Sequence, residues 1–312
     1  MKAFVAVSKN KLRYTEWPIP KYSDNEILVR IISACICNGS DPAILSGHTW
    51  DEFPVVFGHE PFGVIEKVGK NVKDFAAGDL VSWWFSMGAF AEYAVVDPNK
   101  VAVLRLPDNM DYKTGPLFEI FIAASRAVSK VDICGKNVLI MGLGPSGLIM
   151  SQLAKIKGAK SVTGFDLYRN RLDLGLKLGC DAAFDILDGL ESNRYDLIFD
   201  AYGNDILPNE PALDKAVLAA TDCARIISYG HPVNGRRLNP YLIQKKNITI
   251  VTPENRIEKI RESADECLGC YLKGNIDLLS LVTAETTLDK TAEWLEILQA
   301  QPDRHIKIIV KI

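Results

Sequence analysis

The sequence predicts an α/β protein in which a β-rich, barrel-like first domain is followed by a doubly wound parallel sheet. Three observations carry that expectation. Short β-rich runs punctuated by proline and glycine make up residues 1–120. Strands and helices then alternate through residues 121–258, and the alternation opens on a glycine-rich loop set between a strand and a helix.

In the first region the runs "KAFVAV", "EILVRIISACI", "GVIEKVG" and "AEYAVV" have the β-branched and apolar character of strands. In the second, "NVLIMGLG" reads as a buried strand and "PSGLIMSQLAKIKG" as the helix after it. "SVTGFD" and "RNRLDLGLKLG" repeat the pair, and "YDLIFDAYG", "ARIISYG" and "NITIVT" supply further strands. Repeated βα units of this kind imply a parallel sheet. Thr252-Pro253-Glu254 combines an N-cap, a first-turn proline and an acid, and predicts a helix start. Residues 259–312 form a last segment, and its tail "HIKIIVKI" reads as an alternating strand that returns to the first domain.

Composition narrows the function classes. With 48% hydrophobic and 24% charged residues, the 312-residue chain reads as a soluble globular protein. A formal net charge of −3, with no dense Lys/Arg block, gives no general attraction to nucleic acid or to a membrane surface. The opening "MKAFVAVSKNKLRY" has too short an apolar run for the core of a signal peptide. Seven thinly spread cysteines suit a reducing cytoplasm and free thiols. Cys267 and Cys270 fall in a helical pattern and read as two cysteines of one helix.

"MGLGPSG" sets Gly142, Gly144 and Gly147 in the G-x-G-x-x-G order of a Rossmann dinucleotide loop, with Pro145 and Ser146 opening the helix. The first glycine makes the tight turn, the second admits a pyrophosphate to the backbone, and the third packs helix on strand. The helix amides and dipole then face the phosphates. Asp166 ends the next strand, where its carboxylate suits a ribose diol and repels a 2′-phosphate, so NAD is expected over NADP. Arg169 and Arg171, close by, soften that preference.

"VVFGHEPFG" raises a different question, because His59 and Glu60 stand together at a tight bend. Upstream, "SACICNGSD" offers Cys35 and Cys37, followed by Ser40 and Asp41. Residues i and i+2 of a strand face the same way, so geometry alone does not choose between the two thiols. Downstream, Glu119 lies where the β-rich texture meets the dinucleotide region. One thiolate, one imidazole and one or two carboxylates form a set suited to zinc, catalytic if a coordination position stays open. Taken singly, each of these residues reads as an ordinary turn or core residue.

Together with their order, these motifs resemble the zinc-dependent medium-chain alcohol and polyol dehydrogenases, over essentially the whole chain. "GHEPFGVIEKVG", "AAGDLV", "GAFAEYAVV", "MGLGPSG" and "RLDLGLKLGCD" carry the likeness. The resemblance implies a GroES-like catalytic barrel beside the Rossmann domain. It implies Cys37 and His59 as zinc ligands, Glu60 as an exchangeable or outer ligand, and Glu119 as the remaining ligand, in the manner of polyol dehydrogenases. It makes Asp41 the residue that orients His59 and Ser40 the start of a proton relay that His48, equally readable as a surface residue, would extend. The implied reaction moves hydride between NAD and a secondary alcohol (a polyol, sugar or amino alcohol) to give a ketone, in a homodimer or homotetramer.

Three departures from the family pattern stand out. Asn38 is an extra residue between Cys37 and the Gly39-Ser40-Asp41 element. The four-cysteine lobe that many members carry is missing, and "SWWFSMG" runs directly on, so one catalytic zinc per chain and no structural zinc are expected. Ala284 stands where a histidine is frequent. The aromatic run Trp83-Trp84-Phe85 reads equally as a substrate wall or as barrel packing. The rival readings are a zinc-free NAD(P)H-dependent reductase on the same scaffold and a coenzyme-binding protein without turnover.

Overall fold

The computed structural model describes residues 1–186, 188, 190–203, 212–232, 235 and 237–312. The chain divides into two compact units, one of residues Met1–Ala123 and Arg256–Ile312, the other of Ala124–Asn255. Among the described residues, the chain begins with β1 (Lys2–Ser8), β2 (Lys11–Glu16), β3 (Ile27–Ile36), α1 (Ser40–Leu45), β4 (Val55–Val56) and β5 (Glu60–Val68). It continues with β6 (Leu80–Trp84), β7 (Tyr93–Val96), β8 (Ala102–Leu106) and α2 (Leu117–Val128). The second unit carries β9 (Asn137–Met141), α3 (Pro145–Ile156), β10 (Ser161–Asp166), α4 (Arg169–Leu178) and β11 (Ala182–Asp185). After these come β12 (Tyr195–Asp200), α5 (Ala212–Ala219), β13 (Ala220–Ser228), α6 (Pro240–Lys246) and β14 (Thr249–Val251). The chain ends in α7 (Ile257–Leu272), β15 (Val282–Thr287), α8 (Thr291–Ala300) and β16 (Lys307–Lys311).

In the first unit the larger sheet has the order β15-β16-β3-β5-β6-β8, with β7 also on β3. Strand β3 is buried along most of its length, as its run of Ile, Leu, Val and Ala demands. Ile27, Val29, Ile31, Ile65, Val81 and Trp83 pack together on one side of this sheet. A second core, built from Ala34, Ile36, Ile44, Phe57, Phe90 and Ile308, lies at the ends of β3, β5 and β16. Burying side chains of this size contributes about 1.5–3 kcal/mol each, which makes those strand ends a rigid mount.

The second unit carries a parallel sheet of order β11-β10-β9-β12-β13-β14. Register pairs such as Val162 with Val138 and Ile198 with Leu139 set β10 and β12 on either side of β9, so their carboxyl ends share one edge. This is the doubly wound arrangement in which ligands sit outside the strand ends.

Two expectations are corrected here. The helix expected at Thr252-Pro253-Glu254 starts instead at Ile257, with Arg256 as its extended N-cap. The Glu254 carbonyl and the Asn255 side chain both accept from the Arg126 guanidinium, which holds the intervening chain away from helical form. The alternation expected in the tail is also absent, since Lys307, Ile308, Ile309 and Val310 are all buried. Strand β16 runs between β15 and β3, so it has no solvent face along those four residues. No helix among the described residues is long and apolar enough to cross a membrane.

Candidate active site

The first site is assembled by strand register. Cys35 on β3 pairs with Glu60 on β5, so Cys37 and His59 follow as the next residues beyond the ladder at that end. On the other flank of β3, Ile309 of β16 pairs with Cys35 and Ile308 with Ile36, which brings Lys307 alongside. The Gly58 carbonyl accepts from the amides of Gly88 and Ala89 at 2.9 and 3.0 Å, fixing the backbone just before His59.

Cys37, His59 and Glu60 meet there, all buried, with their ligand atoms within 4.8 Å of one another. Among the described residues this is the group of such side chains able to hold a metal ion. Of the two thiols the sequence left open, the one in this group is Cys37; Cys35 is fully buried beside it. Cys35 has its thiol pushed well up by burial, with the charge of Glu60 adding to the effect and Glu119 contributing less.

Asp41 is the brace of the site. The turn into α1 carries it back so that its Oδ2 accepts from the Cys37 amide at 2.9 Å. Its Oδ1 lies 3.1 Å from His59 Nδ1. That pair is close enough for attraction but off the hydrogen-bond line, which leaves two buried polar atoms without a formed bond. Burial alone depresses the His59 pKa, yet the negative charge of Asp41, with help from Cys37, outweighs it and holds the imidazole well above its ordinary value. A divalent cation bound by these side chains would take the place of ligand protons. With Nδ1 turned to a carboxylate, Nε2 is the nitrogen left for a ligand. The donor set therefore fits zinc.

Ser40 is half-buried at the head of α1, and its amide donates to Cys37 Sγ at 3.4 Å. Glu119 is buried in the first turn of α2 and stands outside the three-residue group. His48 is exposed. Trp83 belongs to the barrel core, whereas Phe85 is 39% exposed and lies with its ring 5.0 Å from that of His59. Phe85 has a φ of 46°, a left-handed conformation that costs a bulky residue about 1–3 kcal/mol and persists only where the surroundings enforce it.

Lys307 is the residue that sequence reasoning missed. Its ammonium sits on both carboxylate oxygens of Glu60, and the two side chains are 1% and 0% exposed. It also reaches the Ile36 carbonyl at 3.4 Å. Burial works against its charge, but Glu60 and then Cys37 and Cys35 more than compensate, so the ammonium is held charged.

The second site lies in the other unit, at the end of β9. Gly142 has a φ of 92°, and a Cβ there would meet Tyr202 at 2.9 Å. A Cβ on Gly147 would come within 1.8 Å of the Gly142 carbonyl oxygen, so helix and strand touch where only hydrogen fits. Gly144 by contrast faces open space, its nearest neighbour being Arg171 at 3.9 Å. Pro145 occupies the first turn of α3, where its missing N–H costs nothing. Asp166 accepts from the Leu143 amide at 2.7 Å and from the Tyr168 amide at 3.0 Å, tying the loop to the end of β10. Arg171 lies 3.7 Å from that carboxylate and over the Tyr168 ring at 4.7 Å.

Comparison with known proteins agrees with this fold. Residues 23–108 match the alcohol dehydrogenase GroES-like domain. L-Threonine 3-dehydrogenase of Edwardsiella ictaluri (strain 93-146) is 30% identical in an alignment of 216 residues that covers 58% of this chain and 62% of that relative. The match thus spans about three-fifths of the length of that curated relative. Among solved structures, galactitol-1-phosphate dehydrogenase from Escherichia coli superposes with a TM-score of 0.86 at 23% identity, covering 100% of both chains. Alcohol dehydrogenase TADH from Thermus sp. ATN1 gives 0.84 at 20% identity, covering 100% of this chain and 99% of that one. Residues 23–108 thus match a GroES-like domain, and the chain shares the fold of these dehydrogenases, with a Rossmann-like parallel sheet in its second unit.

Proposed function

We propose that the protein is a zinc-dependent oxidoreductase that moves hydride between NAD and a secondary alcohol, giving a ketone. The convergence of Cys37, His59 and Glu60 in one buried cluster carries the reading. The names of the relatives, a threonine 3-dehydrogenase and a galactitol-1-phosphate dehydrogenase, point to an amino alcohol or polyol as the substrate class. Cys37 and His59 would hold the metal, with Glu60 and Glu119 as the carboxylates available to complete its sphere. When bound, zinc supplies Lewis acidity that lowers the pKa of the substrate hydroxyl.

The rest falls to the chain's own side chains. Asp41 fixes the ring of His59 and the amide of Cys37, so both ligands keep their direction as the site fills. The Ser40 hydroxyl takes the substrate's proton and passes it outward, a role that requires it within about 3 Å of that oxygen. Phe85, pressed against His59 and partly exposed, limits the width of the approach and excludes water. The glycine loop and Asp166 hold the dinucleotide by its pyrophosphate and ribose diol.

Metal analysis of the purified protein, together with a panel of polyols and amino alcohols followed by NADH formation, tests this. Stoichiometric zinc and turnover that Cys37→Ala abolishes together are expected. A Cys37→Ala protein that oxidises the best substrate at the parent rate would refute the assignment.

A further inference from the structure

One row of the larger sheet links the candidate metal ligands to a second group of charges. Glu285 of β15 pairs with Ile309 of β16, Ile309 with Cys35 of β3, and Cys35 with Glu60 of β5. Three strand spacings separate the ends of that row, so Glu285 lies about 14 Å from Glu60, too far to touch a metal there. Its carboxylate instead takes the Lys113 ammonium at 2.5 Å, the Lys311 ammonium at 2.7 Å and the Tyr112 hydroxyl at 2.9 Å. Both ammoniums also lie over the Tyr112 ring, 5.8 and 5.0 Å from its centre. Hydrogen bonds from Lys113 and Lys311 push the Glu285 pKa down to about 2, so the carboxylate stays charged near neutral pH.

Tyr112 and Lys113 belong to a series of tight turns that runs straight into α2. Asp111 Oδ1 accepts from the Lys113 and Thr114 amides at 2.8 and 3.0 Å. The Asp111 carbonyl accepts from the Gly115 amide, and the Thr114 carbonyl from the Leu117 amide, both at 3.0 Å. Ser33 of β3 donates its hydroxyl to the Tyr112 carbonyl at 2.6 Å. Gly115 lies flat on Phe62 of β5, where a Cβ would come within 2.3 Å of the ring. Every residue from Thr114 to Ile120 is buried, so a shift at Tyr112 is passed through close packing to the first turn of α2, which carries Glu119. Ion pairs this exposed, with Lys113 and Lys311 at 37% and 49%, add little to stability; what the cluster yields is placement. Glu60 is already engaged by Lys307, which leaves Glu119 as the carboxylate that placement can bring to a metal. We propose that the cluster around Glu285 is a latch that holds the turns ahead of α2 on the sheet and so sets the reach of Glu119 toward the metal. The inference rests on the zinc reading above and adds to it positioning residues that lie outside the ligand set.

The test compares the full chain with Glu285→Gln, Glu119→Gln and the double variant Glu119→Gln/Glu285→Gln. Zinc affinity is read by competition with a chelator, the metal's surroundings by the absorption spectrum of the cobalt(II)-loaded protein, and the fold by thermal unfolding without metal. Glu119→Gln should weaken zinc, and Glu285→Gln should weaken it about tenfold, the low end of what the outer partners of metal ligands are worth. The cobalt spectrum of Glu285→Gln should shift toward that of Glu119→Gln, with the unfolding temperature nearly unchanged. In the double variant the two losses should not multiply, because both act at one carboxylate. Lys311→Arg should keep the parent affinity, whereas Lys311→Met and Tyr112→Phe should follow Glu285→Gln in part and carry the test should that variant not fold. Parent zinc affinity and a parent cobalt spectrum in Glu285→Gln overturn the latch. So does full multiplication of the two losses, which would mean that Glu285 acts by a route other than Glu119. Parent zinc affinity in Glu119→Gln overturns it as well, while the roles of Cys37 and His59 stand. A parent protein that binds neither zinc nor cobalt removes the zinc reading itself, and the latch with it.

Discussion

Lys307 and Glu60, 247 positions apart in sequence, form an ion pair sealed from solvent beside the candidate metal ligands. Removing one member of such a pair leaves the other charge buried alone, which costs about 3–5 kcal/mol. Lys307→Met should therefore lower the stability of the metal-free protein by about that amount in urea titrations. Lys307→Met combined with Glu60→Gln should recover most of the loss. Added zinc should stabilise Lys307→Met more than the parent, because the released Glu60 carboxylate has only the cation to turn to. An equal zinc increment in both proteins would show that Glu60 stays away from the metal.

The neighbouring thiols are separable in the same way. Cys37 lies in the group with His59 and Glu60, while Cys35 sits one ladder step back, opposite Glu60. Cys35→Ala should keep full zinc content and cost about 1–2 kcal/mol in packing. Cys37→Ala should lose the metal at little cost to the fold. Zinc content of the two purified variants decides the matter, and loss of metal from Cys35→Ala alone would reverse the assignment.

How far the sequence foretold this site follows from the range of the interactions that build it. Cys37, Asp41, His59 and Glu60 sit in two short motifs, and the residue types alone suggested their chemistry. Strand geometry left Cys35 and Cys37 open and only the family resemblance chose Cys37; the meeting of that thiol with His59 and Glu60 comes from the antiparallel register of β3 and β5, which no local pattern encodes. Lys307 was illegible for a related reason. In "HIKIIVKI" it resembles any solvent-facing lysine of an edge strand, and only the insertion of β16 between β15 and β3 buries it. The misplaced helix start at Thr252 has the same origin, since a side chain from α2 claims the Glu254 carbonyl and Asn255. The tight turn at Gly142 and the close helix–strand packing at Gly147, both local demands, were readable in the spacing.

Protons would compete with a bound metal ion at His59. Its pKa is raised above the ordinary 6.5, so in the metal-free protein its pairing with Asp41 contributes stability that is complete below pH 6.5. That contribution fades as pH rises through the elevated value. Metal binding runs the opposite way, because a ligating imidazole must be neutral. Apparent zinc affinity should climb between pH 6 and 8.5, by up to about tenfold per pH unit for each proton released. Calorimetry in buffers of different ionisation heat counts those protons. In Asp41→Asn the slope should flatten near neutral pH, since the imidazole then loses the carboxylate that holds its proton. A slope unchanged by that substitution would remove Asp41 from the control of His59.

The three glycines of the loop after β9 should respond to a methyl group in different ways. Gly147→Ala forces a Cβ into the Gly142 carbonyl and should prevent stable folding of this unit. Gly144→Ala meets nothing closer than Arg171 at 3.9 Å, and its φ of −67° is open to any residue. It should fold with a loss of about 1 kcal/mol or less, in keeping with alanine's weakness at an N-cap. Yet on the dinucleotide reading proposed above the same methyl would occupy the face by which a pyrophosphate approaches the backbone, so NADH affinity should fall steeply while the unfolding transition barely moves. Asp166→Asn should separate two further roles. The Leu143 and Tyr168 amides lose a charged acceptor, lowering stability by about 1–2 kcal/mol. At the same time Arg171, freed of its carboxylate neighbour, becomes available to a 2′-phosphate. The ratio of NADPH to NADH affinity should rise by about tenfold or more, and a ratio that does not move would mean that Asp166 serves the loop rather than the ribose.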